Sequence, residues 1–170
     1  EWVAPTLSWS LFAGGILGTG ILMGGAWAYE ALSFGGFWAW DPVENASLVP
    51  WIVLLAGIHT LVAYKHSGHA LKATAILLPL SFLLVLYSTF LTRSGILGDT
   101  SVHSFTDLGM SGQLLTFMLA FVFLTIGLLA YSWNKMPSPK KEENLSSREF
   151  WMFIGSIIML MLSALITVDT

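Results

Sequence analysis

The sequence predicts an all-α polytopic membrane protein of about five transmembrane helices, with two external loops that carry its unusual residues. Composition, hydropathy and the grouping of apolar residues predict it. Of 170 residues, 55% are hydrophobic and 10% charged, against roughly 25% charged in an ordinary soluble domain. The mean hydropathy is +0.75. The apolar residues lie in long blocks, at roughly 8–29, 48–64, 74–91, 113–133 and 150–168. Each block is close to the ~20 residues that cross a hydrocarbon core as helix. Helix is the open-chain solution there, because backbone polar groups in lipid must be satisfied within the segment.

The first block carries Gly14-xxx-Gly18 and Gly20-xxx-Gly24, spacings that let helices approach closely, although glycine is also simply frequent in membrane helices. Between the second and third blocks stand Lys65 and Lys72. Between the fourth and fifth stand Lys135, Lys140, Lys141 and Arg148. These two segments hold six of the seven basic residues and fall on one side of the membrane, which the positive-inside rule makes cytoplasmic. Residues 134–149 read as a solvated cytoplasmic linker, with Pro137, Pro139 and charges of both signs. The external side then receives loops 30–47 and 93–112, with Glu30, Asp41, Glu44, Asp99 and Asp107, and Arg93 as their single base.

Several chemistries are excluded. There is no cysteine, hence no disulfide, zinc thiolate or thiol nucleophile. No basic patch fits nucleic acid, and neither a phosphate loop, a dinucleotide fingerprint nor an HExxH pair is present. The chain opens on Glu1 without a signal-peptide pattern. It reads as one membrane-domain fragment, 1–170, of a longer protein, and its sites are expected to draw partners from outside it.

The first external loop runs into a segment with five aromatic residues in 18 positions: Phe34, Phe37, Trp38, Trp40 and Trp51. Two readings stand. Tryptophans gather at membrane interfaces as anchoring belts. Broad indole faces beside Gly35 and Gly36 also suit a flat apolar ligand such as a porphyrin. Asp41, Pro42 and Glu44 have the spacing of an N-cap, a first helical residue and a capping-box carboxylate, which leaves room for a functional role as well.

Four histidines are present. His66 and His69 fall in the short basic turn and read as solvated; two ligands do not make a metal site. His59 lies eight residues after Trp51, about 12 Å deeper into the bilayer at ~1.5 Å per residue. An ionisable group at that depth is either functional or a neutral imidazole bonded to another helix. His103, between Val102 and Phe105 in the second external loop, is either solvated or an exposed ligand for a metal or haem iron. One iron takes axial ligands from opposite faces, so a midplane His59 and a surface His103 serve two different haems if both are ligands, each with a partner elsewhere.

Phe37-Trp38-Ala39-Trp40-Asp41-Pro42-Val43-Glu44-Asn45-Ala46-Ser47 resembles the tryptophan-rich "WWD" signature of the haem-handling proteins of cytochrome c maturation. Phe90-Leu91-Thr92-Arg93-Ser94-Gly95-Ile96-Leu97, followed by Ser101-Val102-His103-Ser104-Phe105, resembles the large haem lyase subunits of that family, the CcmF type, rather than the smaller CcmC type. The resemblance covers about Leu11 to Trp133. Phe34 and Phe37 depart from it, standing where the family often has Trp; the flat face remains and the indole N–H is lost.

The resemblance implies that the WWD segment is a periplasmic platform in a bacterial inner membrane, holding haem delivered by the haem chaperone CcmE. Phe37, Trp38, Trp40, Asp41, Pro42, Glu44, Asn45 and Trp51 then border the haem, and His103 ligates its iron. His59 ligates a second, buried b-type haem. Arg93 pairs with a propionate or anchors the interface. The implied reaction joins haem to the CxxCH thiols of apocytochrome c, with further maturation subunits of the CcmH and CcmI type as partners. Delivery of haem without ligation chemistry, and di-haem electron transfer, are the alternatives.

Overall fold

The computed structural model describes residues 1–31, 36–97, 101, 109–137 and 144–169. They form five helices: α1 (Val3–Ala31), α2 (Pro42–Ser67), α3 (Leu71–Arg93), α4 (Ser111–Trp133) and α5 (Arg148–Asp169). All five are long and apolar enough to cross a membrane, and there is no strand among the described residues. The fold is that of an all-α polytopic membrane protein.

Each helix outruns the apolar block that marks it. The difference is largest for α2, which begins at Pro42, so residues 42–47 of the first external loop are helical. Hydropathy registers only the part of a helix that lipid surrounds. The start of α2 is instead fixed by a polar cap at Asp41.

α2 is the hub. α1, α3 and α5 pack against it, and α4 packs against α3. Val49, Ile52, Val53 and Ala56 of α2 meet Leu77 of α3 and Ile166 of α5 in one buried cluster. Lipid tails are as apolar as leucine, so helix pairs in a membrane are specified by close contact and hydrogen bonds rather than by hydrophobic burial. α2 and α3 show both. A Cβ added at Gly57 would come within 2.7 Å of Leu78 Cδ2. Three residues on, the buried Thr74 hydroxyl donates to Thr60 Oγ1 at 3.0 Å, while Thr60 donates to Gly57 O at 2.9 Å. The outer surfaces are apolar and exposed, as at Trp9 and Met23 of α1, Phe123 of α4 and Met161 of α5.

The two ends of the bundle differ in chemistry. At one end Trp2 stacks on Tyr64 at 5.9 Å, and the Lys72 ammonium lies 4.8 Å from the centre of the Trp133 ring. His69, Lys72, Pro137 and Glu149 line one cavity there, so both basic segments share this end. The α2–α3 turn is closed by Gly68 in the left-handed region, φ 78°, whose N–H reaches Tyr64 O at 2.9 Å, as helix C-termini favour. At the opposite end the Phe37 ring rests on Gly25 of α1.

Removing the hydroxyl with Thr74→Val should lower stability by about 0.6 kcal/mol, the typical worth of one interhelical hydrogen bond in a membrane. Gly57→Val, which must displace Leu78 and crowd Leu77, should cost more, on the order of 1–3 kcal/mol. Reversible unfolding in mixed detergent micelles measures both, and the opposite ranking would show that the hydroxyl pair, not the close approach, specifies this contact.

Candidate functional site

The aromatic segment is tied to the first turn of α2 by side chains. Asp41 is the N-cap: its Oδ1 accepts from Val43 N at 2.8 Å and Glu44 N at 3.3 Å. Glu44 Oε2 reaches back and accepts from Ala39 N at 2.7 Å and Asp41 N at 3.3 Å, completing the capping box with Pro42 in the first helical turn. Asn45 Nδ2 donates to Trp40 O at 3.1 Å. Glu44 and Asn45 are 7% and 5% exposed. The local reading of Asp41, Pro42 and Glu44 is therefore the arrangement found.

These bonds hold an unfavourable backbone. Trp40 has φ 56°, the left-handed region that a bulky residue avoids, at a cost of order 1–3 kcal/mol. The conformation turns the Trp40 ring outward, 62% exposed, with Trp38 meeting it edge-on at 6.1 Å and 83°. The Trp38 indole N–H is buried and has no hydrogen-bond partner among the described residues, an arrangement that costs about 1–3 kcal/mol.

Trp51 faces α1. Its Nε1 donates to Gly14 O at 2.9 Å, and a Cβ at Gly18 would lie 2.8 Å from that nitrogen. The indole thus lies in the Gly14-xxx-Gly18 groove. Gly20 and Gly24 have open space where a Cβ would go; the second glycine pair makes no such contact. Gly25 does, with Phe37: a Cβ there would meet its ring at 2.6 Å and its carbonyl oxygen at 2.9 Å.

The result is a cavity of about 620 Å³ between α1 and the aromatic segment. Gly14, Gly15, Gly18, Thr19, Ile21 and Leu22 of α1 form one side; Phe37, Trp38, Trp40, Leu48 and Trp51 form the other. Among the described residues no titratable side chain lines it. The α1 side is what sequence reasoning missed. Its signal is the glycine spacing, which by itself implies only helix packing.

The remaining candidates are distributed elsewhere. Pro42 and Asn45 line a second cavity, of about 240 Å³, with Tyr87, Leu91, Leu97 and Thr167. Arg93 is the last residue of α3, and its sequence neighbours Leu91 and Leu97 belong to this second cavity. His59 lines neither cavity. It is half-buried on α2, with Nδ1 2.7 Å from Leu55 O. A carbonyl only accepts, so Nδ1 carries a proton, leaving the Nε2 lone pair as the free ligating position. Because α2 begins at Pro42, His59 lies about 7 Å beyond the helix centre toward Ser67 and about 27 Å from the Asp41 cap at ~1.5 Å per residue. His103, like Phe34, lies outside the described residues. No group of three or more histidine, aspartate or glutamate side chains that could hold a metal ion occurs among the described residues.

Comparison with known proteins adds an independent finding. The profile of the family described as "Cytochrome C assembly protein" matches residues 4–97, which include α1, the aromatic segment, α2 and α3. The chain is 37% identical over 172 aligned residues to the cytochrome c-type biogenesis protein CcmF of Pseudomonas aeruginosa, covering 99% of this chain and 25% of that protein. It is 41% identical to CcmF of Escherichia coli over 91% of this chain and 24% of that protein. It is 45% identical to the biogenesis protein ccl1 of Rhodobacter capsulatus over 71% of this chain and 18% of that protein. The chain spans about a quarter of the length of the first two of these curated relatives. No solved structure matches it.

The cap geometry generates a test of Asp41. Asp41→Ala should destabilise the protein by about 0.5–2 kcal/mol, whereas Asp41→Asn, an equally good cap, should stay within a few tenths of wild type. Thermal unfolding in detergent distinguishes them; equal losses would mean that the negative charge matters beyond the cap.

Proposed function

Because the chain belongs to the cytochrome c assembly protein family, we propose that it carries the haem platform of a haem lyase, which attaches haem to CxxCH apocytochrome c. The observation that carries this reading is the aromatic-walled cavity beside the buried, unsatisfied indole N–H of Trp38. Its volume of about 620 Å³ falls within the ~300–1,000 Å³ usual for ligand sites. One apolar side made largely of glycine and one made of indole suit a flat macrocycle. The Trp38 donor suits a carboxylate such as a propionate, reached by a small turn of the indole. Trp38 and Trp40, with Phe37, are the residues that contact haem in this reading, and His103 ligates its iron.

Haem is here the substrate. Each thioether forms when a thiol S–H adds across a haem vinyl group: a C–S bond forms, the proton goes to the neighbouring carbon, nothing leaves and no oxidant is consumed. The chain has no cysteine, so both thiols come from the apocytochrome. What this chain contributes is orientation and exclusion of water. Asp41 and Glu44 each accept backbone N–H bonds, which supports a role in holding the platform. Arg93, with neighbours at the other cavity, fits an interface anchor better than a propionate clamp.

His59 is proposed to ligate a separate, b-type haem through Nε2. The companion ligands for both haems are assigned to the remaining three quarters of a protein the size of the relatives. The proposed setting is a bacterial inner membrane with the platform periplasmic, the haem chaperone CcmE as donor, and CcmH- and CcmI-type subunits as partners. Delivery without ligation chemistry is the second reading.

In the full-length parent, purified in detergent after co-expression with the haem chaperone, His103→Ala should remove the platform haem and His59→Ala the buried one. Reduced-haem absorption and haem stoichiometry read the two losses separately. Unchanged haem in both variants would return the aromatic segment to an interface belt. Haem lost at the platform without any fall in thioether product would overturn both readings, since each routes haem through the platform.

A further inference from the structure

We propose that α1 forms the floor of the haem slot and that Gly15 sets how deeply the flat ligand seats, an inference that rests on the platform reading above. The WWD segment supplies only one wall of the cavity; the facing wall is Gly14, Gly15 and Gly18 with their neighbours on α1. These glycines do different things. Gly14 is buried under α2, and Gly18 is spoken for by the Trp51 indole, 2.8 Å from the place of its Cβ. Gly15 lines the cavity, is exposed, and has nothing within 4 Å of where a Cβ would be. A side chain at this position would enter the slot without striking the protein.

The polar groups of the floor are satisfied internally. Gly14 O accepts from Trp51, and Gly15 O accepts from the Thr19 hydroxyl at 2.8 Å. The floor therefore presents apolar surface, and the unsatisfied donor, Trp38 Nε1, belongs to the opposite wall. From Leu22 to Gly14 the floor runs eight residues along α1, about 12 Å at ~1.5 Å per residue. α1 is antiparallel to α2, with Gly25 at the Phe37 end, so the slot descends from the external end into the membrane. A flat ligand with an apolar body and an acceptor at its periphery fits that distribution, and a globular or highly charged one does not.

The test uses the full-length protein co-expressed with the haem chaperone, with platform haem read by stoichiometry and absorption. Gly15→Leu fills the slot and should lower platform occupancy about tenfold, as overfilling a packed contact does. Gly15→Ala should give an intermediate loss. Gly20→Leu, on the same helix in open space and outside the cavity lining, should bind like wild type. Trp40→Ala tests the platform reading itself. Loss in Trp40→Ala with full occupancy in Gly15→Leu would overturn the floor and leave the platform. Full occupancy in both would overturn both. If Gly15→Leu fails to fold, Gly15→Ala against Gly20→Ala decides: equal occupancy in the two overturns the proposal.

Discussion

The seating of one indole on one helix organises the aromatic half of this protein. Trp51 donates to Gly14 O and lies against Gly18, which sets the distance between α1 and α2. In lipid that distance is not set by hydrophobic burial, since apolar side chains gain little by leaving acyl chains for one another. It is set by shape and by a hydrogen bond that has no water to compete with it. Once α1 and α2 are fixed, so is the width of the cavity between them, because Trp51 is part of its wall. The same packing presents Gly25 to Phe37 at the top, so the chain leaving α1 and the chain entering α2 share a clasp at either end of the slot.

The aromatic wall needs a second constraint, and the start of α2 supplies it. Side chains of Asp41, Glu44 and Asn45 bond to the backbone of residues 39–44, and the bonds bridge the strained Trp40. A left-handed tryptophan would relax if its neighbours were free. Here the relaxed conformation would break the Asn45 bond and displace the capping box, each of which is worth of order a kilocalorie per mole. The cap is thus not an alternative to a functional role for this segment but the means of keeping two large rings facing a cavity. The same reasoning explains why acidic residues occur in so apolar a stretch: one oxygen of each, Asp41 Oδ1 and Glu44 Oε2, accepts backbone N–H bonds at a helix N-terminus, where negative charge is favoured.

Much of this was legible in the sequence because its causes are local. Spans follow from hydropathy, and the cap follows from Asp41-Pro42-Val43-Glu44. The extension of α2 up to Pro42 was hidden because a polar first turn looks like loop to any measure of apolarity. What depends on register between helices was not legible. The sequence offers two glycine pairs on α1, and only the packing of α2 selects Gly14 and Gly18 and leaves Gly20 and Gly24 bare. Trp51 lines the cavity, and its N–H also holds α1. Trp38 and Trp51 are alike in sequence terms, and only the structure distinguishes the satisfied indole from the unsatisfied one.

His59 poses the same question of satisfaction at the other end of α2. An imidazole has two nitrogens to accommodate, and its own helix can satisfy one of them. Leu55 O takes the Nδ1 proton, which orients the ring and is the kind of hydrogen bond that metal-ligating histidines use. Nε2 has no hydrogen bond to a described residue, and lipid offers none. A polar atom in that position calls for a donor or an electrophile from another element. His59 lies about 27 Å along α2 from the Asp41 cap and about 12 Å from Trp51, the deepest ring of the tryptophan wall, at ~1.5 Å per residue. One rigid, buried helix thus presents an aromatic surface at its capped end and a single oriented nitrogen nearer the other, and the physical demands of the two ends are met by different bonds.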